Sequence, residues 1–407
     1  MGSVQFDSLS IGERLQIRRR RRGLSRRVLA GLVGRSEEWL RLVESGRSQL
    51  DSIEVVTRLA HVLQVDNPAE LIDWPVPESR RLTPEQPILH ALHEAVIDHP
   101  ALNVRGIASP AENRSITDLA EDLERCRTQW TGAYDRYANL ASALPPVLRK
   151  CRSARWRLQD QRSGELLVGA YHLARVLLAG TGSHSMASTV ADRAIGTAAQ
   201  LHSPELIAIS AWHVSQSLLD LSILDASQAY ALAAATRLER TGRGDEDSFR
   251  LCSALRLVAA RAAAFERASS DADRLIAEAR AAAAELGDDV DIAMIPFGPI
   301  EVSLTEMEIA AQHNATDEVL RIADRLEIPE QHAPARRVRY YIYQANAYAA
   351  RRDDASVVLA LSRAAEISPE DLRYDATAHR CIQQVLRRGN VIARREIHRL
   401  AALAGLS

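Results

Sequence analysis

Residues 24–65 read LSRRVLAGLVGRSEEWLRLVESGRSQLDSIEVVTRLAHVLQV, and this stretch decides the fold of the N-terminal part of the chain. Ser25 and Ser36 are of a type that favours helix N-caps, and each precedes a run with apolar residues at helical spacing. Gly34 lies between the two runs, where a tight turn favours a residue that tolerates positive φ. The pattern predicts two short helices joined by a turn, a helix-turn-helix unit.

The flanking residues predict a small five-helix domain around this unit. A first helix opens at Ile11 and ends at Gly23, and two further amphipathic helices follow over residues 53–63 and 68–72. Together these helices would close a small apolar core. We therefore predict an all-α domain over residues 1–74.

The stretch resembles the XRE family, the phage-repressor-like DNA-binding domains, over its whole length. Ala30 stands where the family has a core alanine, Gly34 where it has the turn glycine, and Glu44 and Gly46 form its Glu-x-Gly sequence. The resemblance implies a DNA-binding domain. It also implies a partly buried structural ion pair between Arg19 and Glu44.

Matching the motif residue by residue indicates which side chains would contact DNA. The recognition helix of such domains lies in the major groove with its N-terminal residues against the base edges, where Arg reads guanine, Glu reads cytosine and Leu contacts the thymine methyl group. The residues predicted to face the bases are Glu37, Glu38, Arg41 and Leu42. Further DNA contacts are predicted for Ser36, Arg26, Arg47 and Gln49. The family usually has Gln at the position of Arg26, and an arginine there would hold a phosphate, a contact that sets the register without reading sequence.

The charge distribution agrees with a polyanionic partner at the N-terminal end. Residues 1–50 hold eleven Arg and five acidic residues, whereas the whole chain has a formal net charge of −2. We therefore predict that double-stranded DNA binds at this basic end.

The composition argues against several other classes of protein. No run approaches the roughly eighteen apolar residues of a membrane span, and the N-terminus lacks the apolar stretch of a signal peptide, so we expect a cytoplasmic protein that contacts no membrane. The 4 cysteines contain no CxxC pair, and we expect them to be reduced and buried. His93 and Glu94 lack the second histidine of a zincin motif, and no glycine-rich phosphate loop or GxSxG occurs. We expect no catalysis, no cofactor and no bound metal.

Residues 75–112 are predicted to connect two domains through a linker and a short helix. Trp74 is followed by PVPESRRLTPEQP, and prolines at this density favour an extended connector. Residues 115–143 then predict one long amphipathic helix, with Leu119, Trp130 and Tyr137 on its apolar side.

Residues 113–407 predict an α-solenoid. Paired helices of about 13–20 residues alternate with short loops, as in repeat proteins. Residues 340–371 resemble a tetratricopeptide repeat, with Ala345 in the small-residue position and Pro369 at its end. We predict about five such repeats, interrupted by IPFGP at residues 295–299 and capped by a helix over residues 391–403.

This combination of domains resembles a group of actinobacterial XRE regulators with tetratricopeptide-like C-terminal domains. The resemblance implies a transcription factor, often a homodimer, with an architecture similar to the peptide-pheromone receptors of Firmicutes. We predict a sequence-specific regulator that binds a palindromic operator as a homodimer and whose repeats dimerise and sense a peptide or small-molecule effector. The alternative left open is an interaction hub, in which the repeats bind a partner protein and the DNA-binding domain only localises it.

Polar residues on the first helix of each repeat are candidate effector contacts, because they lie next to the packing positions and face the concave side of a solenoid. The candidates are Tyr171, Arg175, His213, Asp220, Arg256, Glu301, Arg339 and Asn346. Thr305 and Glu308 follow Glu301 at helical spacing and would add an acidic wall, at a site where the resembling family more often has Asn in place of Glu301.

Overall fold

The chain divides into two units, Met1–Pro84 and Glu85–Ser407. The structure, a computed structural model, describes residues 11–45, 47, 53–63, 87–102, 115–132, 134–266, 269–389 and 394–406. These residues form helices and one short β-hairpin, so the all-α prediction is confirmed.

The described helices of the first unit enclose one apolar core. They are α1 (Ile11–Arg21), α2 (Arg26–Leu32), α3 (Glu37–Glu44) and α4 (Ile53–Leu63). Leu15, Leu29, Leu40 and Leu59, one from each helix, have no exposed surface. The predicted helix over residues 68–72 lies outside the described residues.

Local chemistry sets the helix boundaries in this unit. The Ser25 hydroxyl accepts a hydrogen bond from the Val28 N–H at 3.2 Å and caps α2. Gly34 has a φ of +73° in the turn before α3, as its position predicts. Gly12 allows α1 to approach α3, since a Cβ there would lie 2.4 Å from the carbonyl oxygen of Glu44.

Three helices precede the repeats of the second unit: α5 (Pro87–Ile97), α6 (Ile116–Gly132) and α7 (Arg136–Leu158). Although the sequence assigned α5 to the connecting segment, this helix packs against α7 within the second unit. The single helix predicted over residues 115–143 is wrong, because a new helix starts at Arg136. Its first turn is capped from a distant part of the chain by Glu370, which accepts the N–H of Tyr137 at 2.8 Å. Helical spacing alone does not reveal such a cap.

Five helix pairs form the repeats, and in each pair the first helix packs against the second and against the first helix of the next pair. The pairs are α8 (Gln161–Gly180) with α9 (His184–Gln200), α10 (Pro204–Asp220) with α11 (Leu224–Thr241), α12 (Glu246–Phe265) with α13 (Ser269–Leu286), α14 (Pro299–Gln312) with α15 (Thr316–Ala323), and α16 (Pro334–Ala350) with α17 (Asp354–Ile367). Three helices follow: α18 (Pro369–Tyr374), α19 (Ala376–Arg388) and α20 (Arg394–Leu403). Nearest-neighbour packing of this kind is typical of a solenoid.

A two-stranded antiparallel hairpin occupies the IPFGP region. Strands β1 (Val290–Ile292) and β2 (Ile295–Phe297) pair between α13 and α14, and the buried side chain of Phe297 joins the core of the second and third repeats. The prolines were expected to break the helical pattern, and the chain pairs as strands there.

All four cysteines are buried free thiols, as predicted. Burial raises the pKa of Cys151 to about 12, so this thiol is protonated at neutral pH. Within the described residues, every helix is too short or too polar to cross a bilayer.

Candidate DNA-binding and effector-binding surfaces

Helix α3 presents one polar face to solvent. The Ser36 hydroxyl accepts the Trp39 N–H at 3.1 Å and fixes the start of the helix. Leu40 and Val43 are buried on one side, whereas the predicted base-facing residues lie on the exposed side or at its edge. The exposed residues are Glu37, Glu38 and Arg41, and Leu42 is half-buried.

Arg41 is held in a defined orientation by Glu38, three residues before it. Its Nε donates to Glu38 Oε2 at 2.7 Å and its Nη2 to Glu38 Oε1 at 2.5 Å. The hydrogen bond from Arg41 lowers the pKa of Glu38. Because an exposed i,i+3 pair contributes little to stability, this contact leaves Arg41 available to an external partner.

Glu44 is the only acidic residue on α3 that is buried, and two arginines share its carboxylate. Arg19 Nε donates to Oε1 at 2.6 Å and Arg19 Nη2 to Oε2 at 3.1 Å, which confirms the predicted structural pair. Arg26 Nε donates to Oε2 at 2.7 Å. Burial works against ionisation of Glu44, but the hydrogen bonds from both arginines outweigh it and lower its pKa. The cluster joins α1 and α2 to the end of α3.

The remaining predicted DNA contacts lie at the edges of this face. Arg26 donates its Nε to Glu44 and keeps 36% of its side chain exposed. Arg47 is exposed just after α3. Gln49 lies outside the described residues.

In the second unit, charged and amide side chains connect the first helices of successive repeats in a row that we call the polar ladder. Its members are Arg175 on α8, Gln216 and Asp220 on α10, Arg261 on α12, Glu301 and Glu308 on α14, and Arg339 on α16. Each rung joins one first helix to the next one. The ladder is therefore a continuous polar element of the solenoid.

The rungs are direct hydrogen bonds. Arg175 Nη2 donates to Asp220 Oδ2 at 2.8 Å. Arg261 bridges two helices, since its Nη1 donates to Gln216 Oε1 at 2.9 Å and its Nη2 to Glu308 Oε1 at 2.6 Å. The last rung connects α14 to α16: Arg339 Nη2 donates a hydrogen bond to Glu301 Oε1 at 2.7 Å.

The charges of the ladder stabilise one another. Burial opposes ionisation of Glu308, but Arg261 and Arg339 outweigh it and lower its pKa. Burial also opposes the charge of Arg339, and the nearby Glu301, Tyr343 and Glu308 raise its pKa nevertheless. Arg339 keeps 31% of its side chain exposed, so the ladder is accessible at this point.

Two stacked histidines lie beside the ladder. The rings of His172 on α8 and His213 on α10 are 4.2 Å apart at an interplanar angle of 22°. His172 Nε2 is 3.0 Å from the hydroxyl of Ser210. Both nitrogens of the fully buried His213 ring have no hydrogen-bond partner among the described residues. Burial, with a contribution from Arg175, lowers the pKa of both histidines, to about 3 for His172.

The structure brings some of the predicted effector residues together and separates others. Arg175, Asp220, Glu301 and Arg339 belong to the ladder, and His213 lies next to it. Three others lie elsewhere. Tyr171 packs in the apolar core shared by α5 to α9. Arg256 pairs with Glu239 on α11, and Asn346 is half-buried on α16.

His172, Gln216, Arg261 and Tyr343 lie in or beside the ladder and were not predicted from the sequence. Three of them follow from helical spacing, because His172 precedes Arg175 by three residues, Gln216 follows His213 by three, and Tyr343 follows Arg339 by four. Arg261 has no such relation to a predicted residue on α12.

Comparison with known proteins finds one domain match, in the first unit. Residues 10–73 match a family model described as a helix-turn-helix domain. No curated protein matches the chain. A solved structure similar to it is the Bacillus thuringiensis PlcR in complex with the peptide PapR7 and DNA, with 14% sequence identity, 77% of this chain and 94% of that chain covered, and a TM-score of 0.35. A score this low does not establish a common fold.

Proposed function

We propose that this protein is a transcription regulator that binds a specific DNA sequence through α3. The observation that carries the proposal is that α3 follows the turn of a helix-turn-helix domain and exposes Glu37, Glu38 and Arg41, while its opposite side is fixed in the core. A helix presented in this way suits the major groove. Arg41 would bond guanine and Glu38 would accept from cytosine.

The phosphate contacts would come from Arg26, Arg47 and Gln49, around the base-reading helix. Arg26 uses its Nε for Glu44, which leaves its terminal nitrogens for a phosphate. Ser36 caps α3, and a hydroxyl at this place can contact the backbone of the DNA. These contacts would position the helix without selecting a sequence.

The test of DNA binding compares Arg41→Ala with Arg26→Ala on promoter DNA and on random DNA. Loss of a bidentate arginine should cost about 1–3 kcal/mol on the preferred site and relax the preference at one base pair. Loss of Arg26 should weaken all sequences alike and reduce the salt dependence. Arg363→Ala, an exposed arginine of the second unit, serves as the control. Equal affinity of the unaltered protein for promoter and random DNA at physiological salt would rule out sequence-specific binding.

We further propose that the second unit dimerises and binds an effector, a peptide or a small molecule, at the polar ladder. Buried Nε atoms of Arg261 and Arg339 have no hydrogen-bond partner among the described residues. These are donors, so a ligand that carries carbonyl or carboxylate oxygens would complement them. The effector would act by binding one arrangement of the two DNA-binding domains of a homodimer more tightly than another.

Two measurements test this part of the proposal. Light scattering on the free protein and on its complex with a palindromic operator should give the mass of a dimer, and a monomer in both states would contradict it. Native mass spectrometry after incubation with cell extract should then reveal a bound small molecule or short peptide. A bound folded protein would instead support the interaction hub.

A further inference from the structure

The first helices of the repeats form part of a closed ring. Helices α8, α10, α12, α14 and α16 contact one another in order, α6 contacts α8, and α16 contacts α6 again. Each second helix packs on the first helix of its own repeat, and those of the first four repeats also pack on the first helix of the next repeat. The polar ladder links these first helices to one another, and its members Arg175 and Arg261 keep only 8% and 16% of their side chains exposed.

A cluster that we call the clasp holds the ring shut. It joins the α6–α7 corner, with Trp130, Arg136 and Tyr137, to α18, with Glu370, Asp371 and Tyr374. Arg136 forms an ion pair with Asp371, and the Tyr137 hydroxyl donates to Asp371 Oδ1 at 3.0 Å. The rings of Tyr137 and Tyr374 lie 4.8 Å apart. These contacts connect residues more than 230 positions apart in the sequence, near the two ends of the second unit.

The clasp also completes the start of α7. The N-cap residue Asp135 makes no side-chain capping hydrogen bond. The carboxylate of Glu370 caps the helix in its place and accepts the N–H groups of Tyr137 at 2.8 Å and of Ala138 at 3.2 Å. Because a carboxylate at a helix N-terminus is favoured by the helix dipole, α7 is tied directly to closure of the ring.

The central ion pair of the clasp is incompletely bonded. Arg136 Nε and Asp371 Oδ2 are both buried and have no hydrogen-bond partner among the described residues. A buried ion pair contributes little net stability unless its remaining donors and acceptors are satisfied. Water would satisfy both atoms once the clasp opens, so the closed and open states differ less in free energy than the number of contacts suggests.

We propose that the clasp is a gate that controls access to the buried arginines of the polar ladder, Arg175 and Arg261. Separation of α18 from the α6–α7 corner would part α16 from α6 and open the ring to solvent and to the effector. This role rests on the proposed function of the ladder as an effector site. The gate itself is defined by residues outside the ladder and can be tested without an effector or DNA.

The experiment measures how fast phenylglyoxal modifies individual arginines of the full-length protein. The clasp variant carries Glu370→Gln and Asp371→Asn. The matched control carries Asp317→Asn and Glu318→Gln, a second acidic pair in the first turn of a helix, whose side chains are 90% and 44% exposed. Both variants lose the same charge. Arg363, 58% exposed, provides an internal reference for reagent activity.

Opening of the clasp should raise the modification rate of Arg175 and Arg261 about tenfold, since access then no longer requires a rare opening of the ring. The rate at Arg363 should stay constant, and the control variant should behave like the unaltered protein. Amide exchange should accelerate at the start of α7 and in α18. Tyr137→Phe, which removes one hydrogen bond, should shift the same rates in the same direction by a smaller factor, and it replaces the double variant if that one does not fold.

Unchanged modification of Arg175 and Arg261 in a folded variant whose α18 amides exchange faster would overturn the gate, because the clasp would then open without exposing the ladder. Unchanged α18 exchange in both clasp variants would overturn it as well. Operator binding is measured separately on the same samples. A failure of sequence-specific DNA binding would refute the proposed function. It would not decide about the gate, which the modification rates test independently.

Discussion

The two units organise their buried charges in opposite ways. In the first unit a single carboxylate, Glu44, holds Arg19 and Arg26 and joins three elements around one core. In the second unit the buried charges are spread over several places: each rung of the polar ladder connects only neighbouring first helices, and the clasp holds a separate pair. A small domain with one core should therefore lose its whole fold when its cluster is broken. A solenoid, whose stability is a sum of neighbour terms, should lose structure locally.

The strongest test of this contrast removes one carboxylate from each unit. Glu44→Gln leaves two arginines around a neutral amide and should reduce the stability of the first unit by about 3–5 kcal/mol, the usual cost of breaking a buried pair. Glu308→Gln should loosen the ladder around α12, α14 and α16 only. Amide exchange followed by mass spectrometry measures both changes.

The control for this pair is Glu38→Gln, which removes an exposed carboxylate from the same helix as Glu44. Its effect on amide exchange in α1 to α3 should be small, because exposed pairs contribute little. If Glu308→Gln accelerates exchange across the entire second unit, the contrast between a single cluster and a distributed ladder is wrong.

A second test compares close approaches of the backbone in the two units. A Cβ at Gly12 would meet the backbone carbonyl of Glu44 at 2.4 Å, whereas a Cβ at Gly164 would meet a methyl group of Leu201 at 2.5 Å. Backbone cannot yield as a side chain can, so Gly12→Ala should cost about 1–3 kcal/mol, as overpacking does, and Gly164→Ala less.

Gly31→Ala controls for helix propensity, because no atom lies within 4 Å of the added Cβ. This substitution should stabilise α2 by up to about 1 kcal/mol. Urea unfolding of the full-length variants, followed by amide exchange in each unit, gives the change in the free energy of unfolding for each of the three substitutions. A cost at Gly164 as large as at Gly12 would show that the solenoid is as rigid at this contact as the first unit.

A third test compares how the stability of each unit depends on pH. His172 and His213 have pKa values below their ordinary 6.5, so the unfolded second unit binds protons that the folded unit does not. Stability should therefore be fully present above about pH 6.5 and fall as the pH decreases, by about 1.4 kcal/mol per pH unit for each histidine. The first unit depends on Glu44, whose pKa is lowered from 4.5, so its stability should be lost only at more acidic pH.

Urea unfolding between pH 7 and pH 5 measures the slope, and His213→Leu should halve it. The apolar replacement also removes the unpartnered ring nitrogens, so stability at neutral pH should not decrease greatly. His398→Gln, at an exposed position of α20, is the control and should leave the slope unchanged. Equal slopes in the unaltered protein and in His213→Leu would contradict the assignment of the acid sensitivity to this histidine pair.

Much of the fold could be predicted because its signals are local. The serine caps, the glycine turn and the apolar spacing predicted α1 to α4, and helical periodicity with short loops predicted five helix pairs. The pair Arg19–Glu44 was predicted from the resemblance. The break between α6 and α7 was missed, because the group that caps α7 belongs to Glu370, far away in the sequence.

The candidate effector site was only partly predictable for a related reason. Spacing along one helix shows which residues share a face, but it does not show which face meets the next helix. Arg256 was expected on the concave side of the solenoid and pairs with Glu239 on α11, whereas Arg261, five residues later, forms the central rung. Five residues turn an α-helix by about 500°, so Arg256 and Arg261 lie about 140° apart around the helix axis. The packing of neighbouring repeats decides which of these two side chains meets the next first helix.

The sequence by itself determined most of the helices, the order of the two units and the exposed face of α3, because caps, turns and periodicity act over a few residues. Only the tertiary structure decided which charges meet. The ladder and the clasp join side chains that are about 40 to 230 positions apart. The rungs of the ladder depend on how neighbouring repeats pack, and only the clasp depends on the curvature accumulated over all five, which is a sum of small packing angles that no local pattern of residues specifies.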